Sequence, residues 1–331
     1  MFAALLGIGI GASLAVQTAI NSQLRRFVVS PFLSSMVSFI VAAIFLAVTT
    51  LISGSQLSLP FDLFSSQSIW IWFGSFCGVI ANHKYSSILK LGSVETSVIP
   101  IIGMIVMGML IDHFGWFNGF EQPFGMNRIF GVILLLLGVF LAVIVQEIMS
   151  RYHTPTITKE IQVNKWSWRF VGIGAGMLMS IQAAINGQLG IVLDSPFRAA
   201  FVSFFIGSVT LIIIVGLKER SYSNIKEPIK QSAPWWVWIG GFIGGSYVLI
   251  NVYLVGKIGT GQTVVLALFG QIIGSLLVQQ FGLLKSVKNR IVPIQIFGLI
   301  LMLGGVFLIN YSKLKCTLNY QIGMTLVMLS L

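Results

Sequence analysis

The sequence predicts an all-α integral membrane protein, ten transmembrane helices arranged as two inverted five-helix repeats. Three observations carry that prediction. Apolar residues make up 56% of the 331 and charged residues 9%, with a mean hydropathy of +0.93, outside the balance of a soluble domain. A pattern of glycines and amides in the first half returns 165 positions later. The lysines and arginines crowd the loops of one membrane side.

A spanning helix needs about 20 mostly apolar residues. Such runs occupy 3–24, 32–53, 69–88, 93–112, 127–148, 168–189, 197–217, 234–254, 260–281 and 291–311. The first resembles a secretory leader in position, but it has no basic start and its glycine pattern recurs at 172–189, so it reads as a span. The second and seventh follow Ser30-Pro31 and Ser195-Pro196; serine caps a helix N-terminus and proline is preorganised for the first helical position. Trp70 and Trp72 open the third run, Trp116 follows the fourth, Trp166 and Trp168 introduce the sixth, and Trp235, Trp236 and Trp238 open the eighth. That placement suits indole rings, which prefer the headgroup level. Pro100 is expected to kink the fourth helix. The resulting units are 1–150, the first repeat; 151–166, a basic linker; 167–313, the second repeat; and 314–331, a tail with no counterpart and too short to span.

The repeat holds residue by residue. Gly7, Gly9, Gly11, Gln17, Asn21 and Gln23 answer to Gly172, Gly174, Gly176, Gln182, Asn186 and Gln188, and VQTAINSQL becomes IQAAINGQL. With small indels, Gly74 and Gly78 answer to Gly240 and Gly244, Phe114-Gly115 to Phe281-Gly282, and the GVFL of 138–141 to that of 305–308. An odd number of spans per copy turns the second copy over in the bilayer. The charges agree: all of the 20 lysines and arginines except Arg128, Arg198, Lys257, Lys313 and Lys315 fall on one side, which the positive-inside rule makes cytoplasmic. The linker is then cytoplasmic and both termini lie outside. The formal charge of +11 is a topology signal, with attraction to anionic membrane lipid as a by-product. Loops this short and scattered offer no nucleic-acid surface. Inverted repeats about an axis in the membrane plane are an architecture of secondary transporters, so a polar pocket is expected between the copies.

Gln17 and Asn21 are four residues apart on one helical face, as are Gln182 and Asn186. Uncharged amides both donate and accept, which suits a small polar metabolite or an organic cation; the plain alternative is hydrogen bonding between helices. Of the nine acids, Glu95 and Asp112 are the candidates for coupling transport to a proton, since the others lie in loops or at helix ends. Glu95 falls in the first turn of its helix, where the dipole stabilises an anion anyway, and its counterpart is Gln262. Asp112 ends the same helix beside His113, with Gln279 as counterpart; an interfacial pair with His113 is the plain account and a proton-linked gate the sharper one. Gln271, Asn82 and Asn251 are unmatched polar groups within spans. No enzyme, metal or cofactor is expected. GIGIGAS at 7–13 lacks the preceding strand of a dinucleotide loop, and Cys77 and Cys316 make neither a disulfide framework nor a multi-cysteine metal site.

The pattern GxGxG, QxxxNxQL, SPF and VSF, with DxFG after the fourth span and GVFL in the fifth, resembles the YdcZ-type branch of the drug/metabolite transporter superfamily over residues 1–312. Short members of that branch look like one five-helix unit, and this chain like a fused pair. The resemblance implies alternating access and export or exchange of a small-molecule substrate, often proton-coupled. The glutamate that small multidrug members carry in their first helix is not matched; Gln17 and Asn21 occupy that helix here. Ten-helix relatives are drawn with cytoplasmic termini, whereas the charges place both termini outside. The expected function is secondary transport across the inner membrane, with a passive facilitator or a non-transporting scaffold or sensor as rivals. Single cysteines in place of Ser55 and Val192 should react with an impermeant maleimide from outside the cell, and one in place of Ser223 should not; the reverse pattern inverts the orientation.

Overall fold

A computed structural model describes residues 2–59, 61–88, 93–153, 165–286 and 288–310. The side chains of 61, 82–88, 93–98, 144–153 and 165 lie outside that description. So do most of the linker, the 314–331 tail, Cys316 and the side chains of Asn82 and Glu95.

Every regular element among the described residues is a helix, with no strand. The long helices are α1 (Phe2–Val28), α2 (Pro31–Ile52), α3 (Gly74–Ile88), α4 (Ser93–Phe114), α5 (Met126–His153), α6 (Lys165–Val192), α7 (Pro196–Ile214), α8 (Gly240–Ile258), α9 (Thr260–Phe281) and α10 (Pro293–Asn310). Among the described residues eight helices are long and apolar enough to cross a membrane. The ends follow the local chemistry. Ser30 Oγ accepts the Leu33 N–H at 2.9 Å and Ser195 Oγ the Arg198 N–H at 3.3 Å, each with proline in the first turn. Helices α4 and α9 stop at Gly115 and Gly282, both left-handed, the conformation glycine adopts at no steric cost.

The third and eighth helices start later than the sequence suggests. Ile69–Trp72 and Trp235–Trp238 are separate 3-10 turns, and α3 and α8 begin at Gly74 and Gly240. The reason lies in the packing. A β-carbon at Gly74 would overlap the Asn186 amide, and one at Gly240 the Asn21 amide, so each helix must begin with a residue that leaves this seat open.

Equivalent contacts recur with the halves exchanged. Gly11 of α1 lies on the Ala267 carbonyl of α9, and Gly176 of α6 on the Pro100 carbonyl of α4, two pairs related by the repeat. Gly270 meets the Ile8 carbonyl as Gly103 meets that of Ile173. Along α5 and α10, Gly131 faces Gly305 while Gly138 faces Gly298, so these two equivalent helices run past each other in opposite directions. Helices α2 and α7 do the same: Leu33 and Met36 pack with Leu211 and Val215, and Ala42 and Leu46 with Ala200 and Phe204. The loops after α4 and α9 share one backbone shape, with Gly115, Phe117 and Asn118 at φ 63, 61 and 56° and Gly282, Leu284 and Lys285 at 62, 55 and 58°.

The main apolar core joins α4, α5, α9 and α10 through Ile105, Met109, Leu135, Val139, Phe269 and Met302. Helix α9 runs through it: every residue from Thr260 to Gly270 is buried, as expected of a helix surrounded by others. Gly11→Val would drive a β-carbon into the Ala267 carbonyl, and overpacking costs about 1–3 kcal/mol or more. It should lower the thermal midpoint of the purified protein, whereas Gly9→Val, with open space around it, should leave the midpoint nearly unchanged.

Candidate functional site

The four repeated amides are all placed where one half meets the other, but as two separate pairs. Asn21 accepts from Ser38 Oγ of α2 at 2.8 Å, and its equivalent Asn186 accepts from Ser203 Oγ of α7 at 3.1 Å. Gln17 and Asn21 lie over Gly244 and Gly240 of α8, while Gln182 and Asn186 lie over Gly78 and Gly74 of α3. Each pair therefore fills a glycine notch in the third helix of the opposite half. Gln17 Oε1 is buried without a hydrogen-bond partner among the described residues.

Asp112 has a different partner from the one the sequence suggests. His113 Nδ1 accepts the Phe124 N–H at 3.1 Å and makes no pair with it. The Asp112 carboxylate instead crosses to the other half and accepts the backbone N–H groups of Thr260 at 2.8 Å and Gly261 at 3.0 Å. These are the free donors of the first turn of α9, where an anion is favoured. Arg128 of α5 completes the cluster 3.4 Å from Asp112, with the two residues only 4% and 2% exposed. Arg128 also donates to the Gln122 carbonyl. The Gln122 side chain bonds the Ile258 carbonyl and Gln262 at 3.1 and 3.0 Å. This end of the bundle is closed by a buried, charge-assisted network joining the halves. Ser180 Oγ, donating to the Met104 carbonyl at 2.6 Å, pins α6 to α4 beside it.

The opposite ends of α1 and α9 are different. Past the contacts of Gly11 and Gly270, a cleft of about 430 Å³ opens between the two helices. Its walls are two polar stripes at four-residue spacing: Thr18, Ser22 and Arg26 on α1, and Gln271, Ser275 and Gln279 on α9. Residues four apart share a helical face, so each stripe continues along its helix. Lys285 and Asn289 line the cleft from the loop after α9. At the counterparts of the stripes, Thr18, Ser22 and Arg26 become Ala183, Gly187 and Ile191, Gln271 and Ser275 become Met104 and Gly108, and Gln279 becomes Asp112, which is turned to the first turn of α9 instead. The polar cleft thus belongs to one end only.

Thr18, Ser22 and Ser275 have no polar counterpart in the other copy and so do not stand out in the repeat; Gln271 stands out only as an unmatched amide within a span, and Gln279 only as the counterpart of Asp112. The signal that finds them is the four-residue spacing of polar side chains inside an apolar span. A glutamine held against lipid is costly, and the cleft gives this one a polar setting.

The family described as "Putative inner membrane exporter, YdcZ" matches residues 2–141 and again 167–308. The chain belongs to this family. It is accordingly a multi-pass inner membrane protein of a transporter family, and the two matched segments cover the two halves that exchange contacts. A solved structure titled "Crystal structure of protein" is similar in fold, with a TM-score of 0.66 and 15% identity over 94% of this chain and 98% of that one. No curated protein matches the chain.

Asp112→Ala would leave Arg128 buried and unpaired, and breaking a buried pair in this way costs about 3–5 kcal/mol. The single variants Asp112→Ala and Arg128→Ala should each lower unfolding stability by that order. The double variant should lose clearly less than their sum, measured as a thermal or denaturant cycle in detergent.

Proposed function

We propose that the protein is a secondary transporter that moves a small polar metabolite across the inner membrane by alternating access between two inverted five-helix repeats, 1–150 and 167–313, joined by a cytoplasmic linker. The observation that carries this reading is the unlike state of two equivalent places. Between α1 and α9 a polar cleft is open, while between α4 and α6 the equivalent helices are pinned together and the adjacent end is closed by Asp112. The opposed directions of α2 against α7 and of α5 against α10 support the inversion. In a two-fold arrangement the alternative state exchanges the two places: the α1–α9 cleft closes and the α4–α6 side opens. By the distribution of basic residues the open cleft faces the cytoplasm, the side from which an exporter loads.

In this reading the solute contacts Gln271 and its neighbours in the cleft. Gln17, Asn21, Gln182 and Asn186 form the bearing on which one half turns against the other, because each is seated in a notch of the opposite half. Asp112 acts as the outer latch. Proton coupling falls to Glu95, and a passive facilitator is the second reading. That reading is favoured by the absence of any carboxylate among the residues lining the cleft.

The latch can be tested without knowing the solute. Asp112→Asn weakens the hold on α9 and should shift the population toward the outward-open state. A difference of 1.4 kcal/mol between states is a tenfold change in their ratio. In that background a cysteine replacing Ser180 should label about tenfold faster from outside, and one replacing Ser275 correspondingly slower from the cytoplasmic face. Faster labelling at both positions would mean simple loosening and would count against alternating access, as would no change at either.

A further inference from the structure

We infer that the cleft between α1 and α9 is built for an anionic solute, one bearing a carboxylate or phosphate on a polar body, and not for an organic cation. This rests on the transport reading above and narrows its substrate. Two of the lining residues are charged, Arg26 and Lys285, and both are cationic; the rest of the lining is amide, hydroxyl and small apolar side chains. Both cations are exposed at the mouth. Arg26 reaches Gln23 Oε1 at 3.5 Å, a long contact with a neutral acceptor, and it pairs with no carboxylate among the described residues.

The arrangement has a direct electrostatic consequence. A cleft lined by one sign of charge, with low-dielectric walls, focuses its field and concentrates counter-ions of the opposite sign. An entering cation would meet two like charges and find no carboxylate among the lining residues. A carboxylate or phosphate would find a guanidinium, which pairs with planar oxyanions through two parallel bonds, and an ammonium, which acts as a point charge. Deeper in, Gln271 and Gln279 can read hydroxyl, amide or carbonyl groups on the body of the solute, because each amide donates and accepts. The volume, about 430 Å³, is in the range of small-molecule sites.

The basic mouth is more than the general charge of that membrane face. Arg25, Lys288 and Arg290 lie in the same part of the sequence and are exposed, yet they do not line the cleft. They separate an effect of the cleft from an effect of surface charge. The same chemistry would also accept the headgroup of an anionic lipid, so the soluble and lipid sources need separate arms.

The test is a thermal-shift titration of the purified full-length protein in lipid-free detergent at constant ionic strength. Succinate, glutamate and glucose 6-phosphate serve as anions, choline and spermidine as cations, and glucose as the neutral control. At least one anion should raise the midpoint saturably. Arg26→Gln and Lys285→Gln should each weaken that binding about tenfold or more, the scale of a lost charged hydrogen bond. Arg25→Gln should leave it within about twofold. Stabilisation by choline or spermidine with all three anions inert would overturn the inference, as would no response to any anion. A shift produced only by added phosphatidylglycerol would assign the site to lipid and overturn it equally. Counterflow of the same six probes in proteoliposomes separates this idea from transport itself. Flux of a cation or of glucose without anion binding would remove the anion and leave the transporter. An anion that binds at Arg26 and Lys285 but is not moved would leave the site and remove the transporter.

Discussion

The first turn of α9 carries backbone N–H groups that no residue of its own helix can satisfy, and it is buried at one end of the bundle. Burial withdraws these donors from bulk solvent, and a side chain answers them. The carboxylate that does so, Asp112, comes from the other half of the chain and is itself balanced by Arg128. The two halves are thereby committed to each other at one end of the bundle through a single charged cluster, while at the other end α1 and α9 part to form the polar cleft. The rest of the packing is adjusted to this central helix. Gly11 and Gly7 let α1 lie against it, and the core of α4, α5 and α10 closes over its other sides.

Much of this was legible in the sequence, because the constraints that produced it are local or periodic. A spanning helix needs a run of apolar residues, and the runs are there. The serine caps ahead of α2 and α7 work through the nearest few residues, so their outcome can be read from a short string. The duplication was visible in matched glycines and amides, and the contacts they make are exchanged between the halves. The late starts of α3 and α8 were not legible. They depend on amides from the opposite half occupying the space where a side chain would begin, a contact between residues more than a hundred positions apart.

The candidate site was legible only in part, for the same reason. Gln17, Asn21, Gln182 and Asn186 attract notice because they are polar and repeated, and all four lie against glycines of the opposite half. Gln271, Ser275, Thr18 and Ser22 occur on one side alone, so a comparison of the copies passes over them. Asp112 looked like the neighbour of His113 because the two are adjacent in the chain. A buried carboxylate goes instead to the strongest donors in reach, and these lie on α9, 148 and 149 residues away.

In the proposed transport cycle, the unlike ends of the two repeats bear on the kinetics. A single five-helix unit pairing with an inverted copy of itself would present identical residues to both compartments, and its two vestibules would have the same chemistry. Fusion into one chain frees Arg26 to become Ile191 and Gln271 to become Met104 in the other copy. A carrier with two unlike vestibules can hold its solute tightly at one face and weakly at the other. The solute gradient, with any coupled ion, still fixes where net flow stops. The dependence of rate on concentration differs between the two directions, so such a carrier rectifies: it saturates early from the side where the cleft grips and late from the side where it does not.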